Sequence, residues 1–125
     1  MRALRIAVAD DEPVMREYYS QILPLFGHEV VCAVENGREL VEQCKLLQPD
    51  LVITDINMPV LDGLDAAVEI CQDKPVPIIV VSGYHNAELT QRAREANIGC
   101  YLRKPIKQRD LQPAIDSALR TFKAG

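Results

Sequence analysis

Six polar residues of this 125-residue chain each stand at or just past an apolar run. Asp10, Asp11 and Glu12 follow LRIAVA, Asp55 closes LVITD, Ser82 follows VPIIVV, and Lys104 comes shortly after IGCYL. Carboxylates gathered in one place repel and raise one another's pKa values unless a cation neutralises them. With no His or Cys in the set, the expected cation is hard and divalent, Mg2+ (or Mn2+), which keeps several waters and shares positions with phosphate oxygens. Lys104 adds a point charge and Ser82 a hydroxyl donor, a combination suited to an anion with several oxygens. Transfer of a phosphoryl group to a carboxylate, giving an acyl phosphate, is the chemistry these groups can do together. Asp55 is the expected nucleophile, because it ends a strand-like run where the backbone is held firmly. The paired Asp10 and Asp11 suit the metal, and the backbone carbonyl of Asn57, two residues past Asp55, is a further expected ligand.

For these residues to meet, the elements between them must bring each strand back to the same sheet edge. Apolar, β-branched runs at 4–9, 29–34, 51–54 and 76–81, with a shorter one at 98–102, read as five strands. Helical spacing fills the intervals: Met15, Tyr18, Ile22 and Phe26, then Leu40, Cys44 and Leu47, then Leu64, Ala67, Val68 and Cys71. Leu89, Ala93 and Ala96 make a narrow fourth stripe, and Leu111, Ile115, Ala118, Leu119 and Phe122 a fifth. Strict alternation of strand and helix demands crossover connections, hence a parallel sheet covered on both faces, an α/β doubly wound (βα)5 fold. In such a sheet the ligand crevice lies outside the carboxyl ends of the strands, where the strand order reverses, and all six polar residues fall at that edge.

Local punctuation agrees with the register. Pro13 suits the first turn of helix 1, and Gly27 can close it in a left-handed conformation. Asn36 with Glu39 predicts a capping box for helix 2, which Pro49 stops. Pro24 is expected to kink or end helix 1 early, and Pro113 predicts a helix 5 that starts near Asp110.

The bulk composition excludes several classes. Fourteen basic against 18 acidic residues leave a net charge of -4, without the surplus needed to grip a phosphate backbone, so no direct nucleic-acid binding is expected of this segment. No run approaches the ~20 apolar residues of a membrane span and no signal peptide is apparent, which predicts a cytoplasmic protein with no membrane partner. Cys32, Cys44, Cys71 and Cys100 form no CxxC pair and are expected to be buried small hydrophobes. His28 and His85 follow no ligand spacing and predict solvent or turn positions.

Taken singly, each site residue has a plainer role. Asp10, Asp11 and Glu12 could cap helix 1, Ser82 could be a turn residue, Lys104 a surface lysine and Tyr101 a packing aromatic. Taken together, VADDE, DINMPVLDG, VVSG and YLRKP in this order resemble the receiver domain of two-component response regulators, over essentially the whole chain, 1–125. The resemblance implies a chemotaxis-regulator-like, flavodoxin-like sheet of order 2-1-3-4-5. It makes Asp55 the acceptor of a phosphoryl group from a histidine kinase or histidine phosphotransfer protein. Asp11 and Asp55 would bind Mg2+ directly with the Asn57 carbonyl, and Asp10 mainly through water. Ser82 would move to bond the phosphoryl oxygen, with Lys104 as the family's lysine, and Tyr101 would swing inward as the switch aromatic. The Lys104–Pro105 bond is expected to be cis. Helix 4, strand 5 and helix 5 would then change their exposed face to control an output domain or protein, with room for a phosphorylation-dependent dimer. The ending KPIKQRDLQPAIDSALRTF is similar to receivers of antitermination regulators, whose following ANTAR domain binds RNA.

Other readings use some of the same features. A haloacid-dehalogenase-like, Mg-dependent phosphohydrolase also uses an aspartate nucleophile, but such enzymes usually carry a second Asp two residues on, where this chain has Asn57. A flavodoxin-like cofactor module would need a phosphate loop, and neither GxGxxG nor GxxxxGK[ST] occurs. A receiver that had lost phosphorylation would survive as a docking surface, yet every site residue is present. The chain itself is therefore expected to be no enzyme beyond its own phosphoryl transfer and dephosphorylation.

Overall fold

A computed structural model describes residues 3–83, 86–96 and 98–124, and side chains as far as 122. His85 lies outside the described residues. The element order is β1 (Arg5–Ala9), α1 (Pro13–Leu25), β2 (Glu29–Val34), α2 (Gly37–Leu47), β3 (Leu51–Asp55), α3 (Gly63–Asp73), β4 (Ile78–Ser82), α4 (Ala87–Glu95), β5 (Cys100–Arg103) and α5 (Gln108–Ala124). The five strands are parallel in the order β2-β1-β3-β4-β5, as the alternation and the family pattern predict.

β3 and β4 are buried along their whole length, which is why they read as unbroken apolar runs. Successive residues serve opposite faces. Ala7, Val52, Ile56 and Val80 join Leu40, Val41, Leu64 and Ile70 in one core under α2 and α3. Ile6, Val8, Ile53, Ile79 and Val81 join Tyr19, Leu23, Leu111 and Ile115 in the other, under α1 and α5. Of α4, only Ala93 is buried.

Two strands begin two residues later than their apolar runs. Pro77 cannot donate to the ladder, so β4 starts at Ile78. The N–H of Ile98 is used by the Ala93 carbonyl at 3.0 Å, closing α4, so β5 starts at Cys100. α1 passes through Pro24 and ends at Leu25, because a proline in the last turn removes only one backbone bond; Gly27 at φ +87 then turns the chain. α5 starts at Gln108 rather than near Asp110. Asp110 Oδ2 accepts the Lys107 N–H at 3.3 Å, the returning half of a capping box, and this fixes an earlier first turn with Pro113 inside the helix. The Asn36–Glu39 box of α2 forms as expected, Asn36 Oδ1 accepting the Glu39 N–H at 2.9 Å.

Two burial expectations are corrected. His28 is buried at 4 % exposure, because its ring supplies an acceptor for the Leu4 N–H and bonds Gln112 Oε1. Of the four free thiols, Cys44 alone is buried; Cys32, Cys71 and Cys100 sit at the core margins, half-buried. Burial pushes the Cys44 thiol up to about 12, so it stays protonated.

Candidate functional site

Asp10 follows β1 directly and is fully buried. Each of its carboxylate oxygens has a partner, the Glu12 N–H at 3.0 Å on Oδ1 and the Lys104 ammonium at 3.0 Å on Oδ2. Its carbonyl accepts from Arg16 Nη1 at 3.0 Å, one turn into α1. Asp55 is the last residue of β3 and 6 % exposed. Its Oδ1 accepts the Ile56 N–H at 2.8 Å, and its Oδ2 faces Lys104 Nζ at 3.4 Å. Asp11 is exposed, and one carboxylate oxygen each from Asp10, Asp11 and Asp55 lie within 4.8 Å of one another. The ladder explains the meeting, since β1 and β3 are neighbours with Ala9 opposite Thr54.

The electrostatics are undercompensated. Burial pushes the Asp55 carboxyl up to about 6, and the Asp10 charge adds to this against the opposing pull of Lys104 and the Ile56 N–H. Burial acts to lower the Lys104 ammonium, yet the hydrogen bond to Asp10 and the charges of Asp55 and Asp10 outweigh it and hold it well above its ordinary value. Three carboxylates, those of Asp10, Glu12 and Asp55, share the Lys104 ammonium, and Asp11 adds a fourth beside Asp10 and Asp55. An all-oxygen donor set with surplus negative charge fits a hard divalent cation.

Lys104 reaches the site from beyond the far edge strand. Its backbone N–H donates to the Ser82 carbonyl at 2.8 Å, and the Lys104–Pro105 bond is cis, as expected. Ser82 ends β4, one ladder step beyond the Asp55–Val81 pair, and is fully buried. Tyr101 lies on β5, half-buried against the core under α2 and α3. Asn57 is exposed two residues past Asp55.

The loop after Asp55 is built to hold that carboxylate still. Thr54 Oγ1 donates to the Asp55 carbonyl at 2.9 Å, and the Gly63 N–H returns to the Ile56 carbonyl at 2.8 Å. A Cβ at Gly63 would run into the Asp55 carbonyl oxygen, so only glycine lets α3 begin so close to the site. Val60, 80 % exposed, takes φ 71, an unfavourable region for a β-branched residue. Asp62 caps α3 by accepting the Asp65 N–H at 2.8 Å and also receives Arg92 of α4 at 3.0 Å. Sequence reasoning put Glu12 at the site edge without its bond to Lys104, and missed Arg16 and Arg92. Arg16 carried a signal, in the first turn of the helix that follows the acidic pair; Arg92 meets Asp62 across 30 residues with no local pattern to announce it.

Residues 6–116 match the family described as the response regulator receiver domain. The transcriptional regulatory protein PdtaR of Mycobacterium tuberculosis is 40% identical over 119 residues, 95% of this chain and 58% of that protein. A protein-glutamate methylesterase/protein-glutamine glutaminase of Carboxydothermus hydrogenoformans is 40% identical over 108 residues, 84% of this chain and 30% of that protein. Among solved structures, a CheY-like receiver domain protein from Methanospirillum hungatei superposes with a TM-score of 0.89 at 26% identity, covering 99% of this chain and 100% of that one. The receiver domain of a modulated diguanylate cyclase from Desulfovibrio desulfuricans gives 0.90 at 27% identity, covering 98% of both. The chain belongs to the response regulator receiver domain family. It spans well under two thirds of the two longer relatives named, and the phosphohydrolase alternative gains no support.

Proposed function

We propose that Asp55 is the phospho-acceptor of this receiver, taking its phosphoryl group from a histidine kinase or histidine phosphotransfer protein. The observation that carries the reading is the buried Asp55 carboxylate, aligned by the Ile56 N–H and flanked by Lys104 at 3.4 Å and the Asp10–Asp11 pair. Asp55 Oδ attacks phosphorus, the bond from phosphorus to the donor nitrogen breaks, and the electron pair returns to that nitrogen. Lys104 is placed to offset charge on the phosphoryl oxygens, and the buried Ser82 hydroxyl to donate to one of them. Asp11, Asp55 and the Asn57 carbonyl would hold Mg2+ or Mn2+, with Asp10 acting mainly through water. When bound, that cation would neutralise the carboxylates and share the phosphoryl charge.

Ser82 moving toward the phosphoryl group would vacate space for Tyr101 and bias the face made by α4, β5 and α5. This is a population shift, limited by the differential contacts of the two packings. Its readout is an output domain or protein in the cytoplasm; a transcriptional output suits the likeness to PdtaR, and an RNA-binding output of the antitermination type suits the motif KPIKQRDLQPAIDSALRTF. The domain itself, 1–125, is a signalling acceptor that catalyses only its own phosphorylation and dephosphorylation. Among the described residues no helix is long and apolar enough to cross a membrane.

Intact mass before and after acetyl phosphate with Mg2+ tests the assignment. Wild type gains one phosphoryl group and Asp55→Asn gains none; equal gain in both would remove Asp55 from the role.

A further inference from the structure

Lys104 has three acceptors to serve. Its ammonium meets Asp10 Oδ2 at 3.0 Å, Glu12 Oε1 at 3.2 Å and Asp55 Oδ2 at 3.4 Å. An ammonium has three N–H donors, so a phosphoryl oxygen arriving beyond Asp55 has to take one from a carboxylate. The three are unequal in what they lose. The Asp10 and Asp55 side chains are 0% and 7% exposed, whereas that of Glu12 is 57% exposed. A buried carboxylate stripped of its partner is costly, while water replaces the ammonium at an exposed one with little loss. Glu12 also has no competing duty in its helix: it stands at the N-cap of α1 but makes no side-chain cap bond.

We propose that Glu12 is a positioning residue that parks the Lys104 ammonium at the mouth of the site and yields it to the incoming phosphoryl group. The inference rests on the reading of Asp55 as acceptor. Parking restrains phosphorylation, because the ammonium has to leave Glu12 before it can meet the transferred oxygens. Glu12→Gln removes the parked pair at nearly constant shape. Glu12→Asp keeps the charge but withdraws the carboxylate by one methylene, out of reach of Nζ.

The test is the second-order rate constant for Asp55 phosphorylation by acetyl phosphate with Mg2+, followed by intact mass, with thermal midpoints measured alongside. Acetate leaves with the electron pair of the broken P–O bond as the Asp55 acyl phosphate forms. Both variants are expected to react faster than wild type, on the order of threefold, the scale set by one exposed ion pair. A role confined to the start of α1 would move the midpoints and leave the rates alike. Glu12→Gln no faster than wild type would overturn the proposal. Glu12→Asp at or below the wild-type rate would overturn it too, since through-space charge alone would then explain any gain in the glutamine variant. A wild-type chain that takes up no phosphoryl group would overturn the acceptor reading as well, and the two failures are thereby told apart.

Discussion

Asp55 is ionised at neutral pH against the preference of its surroundings. Its carboxyl sits at about 6 in the folded chain, against an ordinary 3.8, chiefly because it is buried. The folded state therefore takes up a proton as the pH falls through about 6, where the unfolded chain still holds none, so this group adds stability on acidification. That is the reverse of the usual salt-bridged carboxylate. A shift of about two pKa units corresponds to about 3 kcal/mol, the order of magnitude by which ionised Asp55 burdens the fold above pH 6. Without divalent cations, Asp55→Asn is expected to be about 1–3 kcal/mol more stable than wild type at neutral pH, with the gap closing toward pH 4. Urea unfolding of both chains across that range checks it, and a wild type as stable as the variant at neutral pH would contradict the burden. Lys104 keeps Asp10 and Glu12 as partners in that variant, so the substitution strands no cation. At this scale the site was largely legible, because acids at strand ends report both a type and a place. The role of Glu12 was the exception: its place at the site edge was legible, but its bond to Lys104 spans 92 residues and leaves no local pattern.

Among the elements, α4 is held differently from its neighbours. Ala93 is its one buried residue, and Leu89 packs only partly against the core. Its polar anchor is Arg92, which bonds Asp62 at 3.0 Å and Asp65 at 3.3 Å in the first turn of α3, directly after the loop leaving Asp55. Little burial predicts low local stability, so the ion pair counts for more in α4 than its partly exposed setting gives it in the whole molecule. Arg92→Ala is expected to speed hydrogen exchange across α4 several-fold while lowering global stability by less than about 1 kcal/mol. Amide exchange together with denaturant unfolding separates those effects; an α4 protected as in wild type would show that the pair is incidental. The narrow stripe Leu89, Ala93 and Ala96 announced α4, whose start the structure fixes with Asn86 Oδ1 accepting the Leu89 N–H at 2.9 Å. Its attachment was not announced, because charge pairs between helices carry no periodic trace. Strand limits at β4 and β5 failed by two residues for a related reason: apolar runs mark burial, and the ladder stops where a donor is missing or already spent.

Across the whole molecule, His28 ties three elements that lie far apart in sequence. The Leu4 N–H donates to its Nδ1 at 3.1 Å, so Nε2 carries the proton and donates to Gln112 Oε1 at 2.9 Å, 84 residues away. Gln112 passes the chain on to Asp116 at 3.0 Å. Removing the ring leaves a buried backbone donor with no acceptor, so His28→Ala is expected to cost about 2 kcal/mol, measured by denaturant unfolding. Loss below about 0.5 kcal/mol would mean that water substitutes for the ring. No spacing rule could have placed this imidazole indoors, since its partners lie just before β1 on one side and in a helix far along the chain on the other. The strand order has a parallel consequence in time. β1 and β3 bring the three aspartates together within the first 55 residues, whereas the balancing ammonium arrives at residue 104, after the edge strand β5. A chain emerging from the ribosome thus carries its acids through the synthesis of residues 56–103 before their lysine exists, and a product truncated in that interval would be left with the repulsion and without the balancing ammonium.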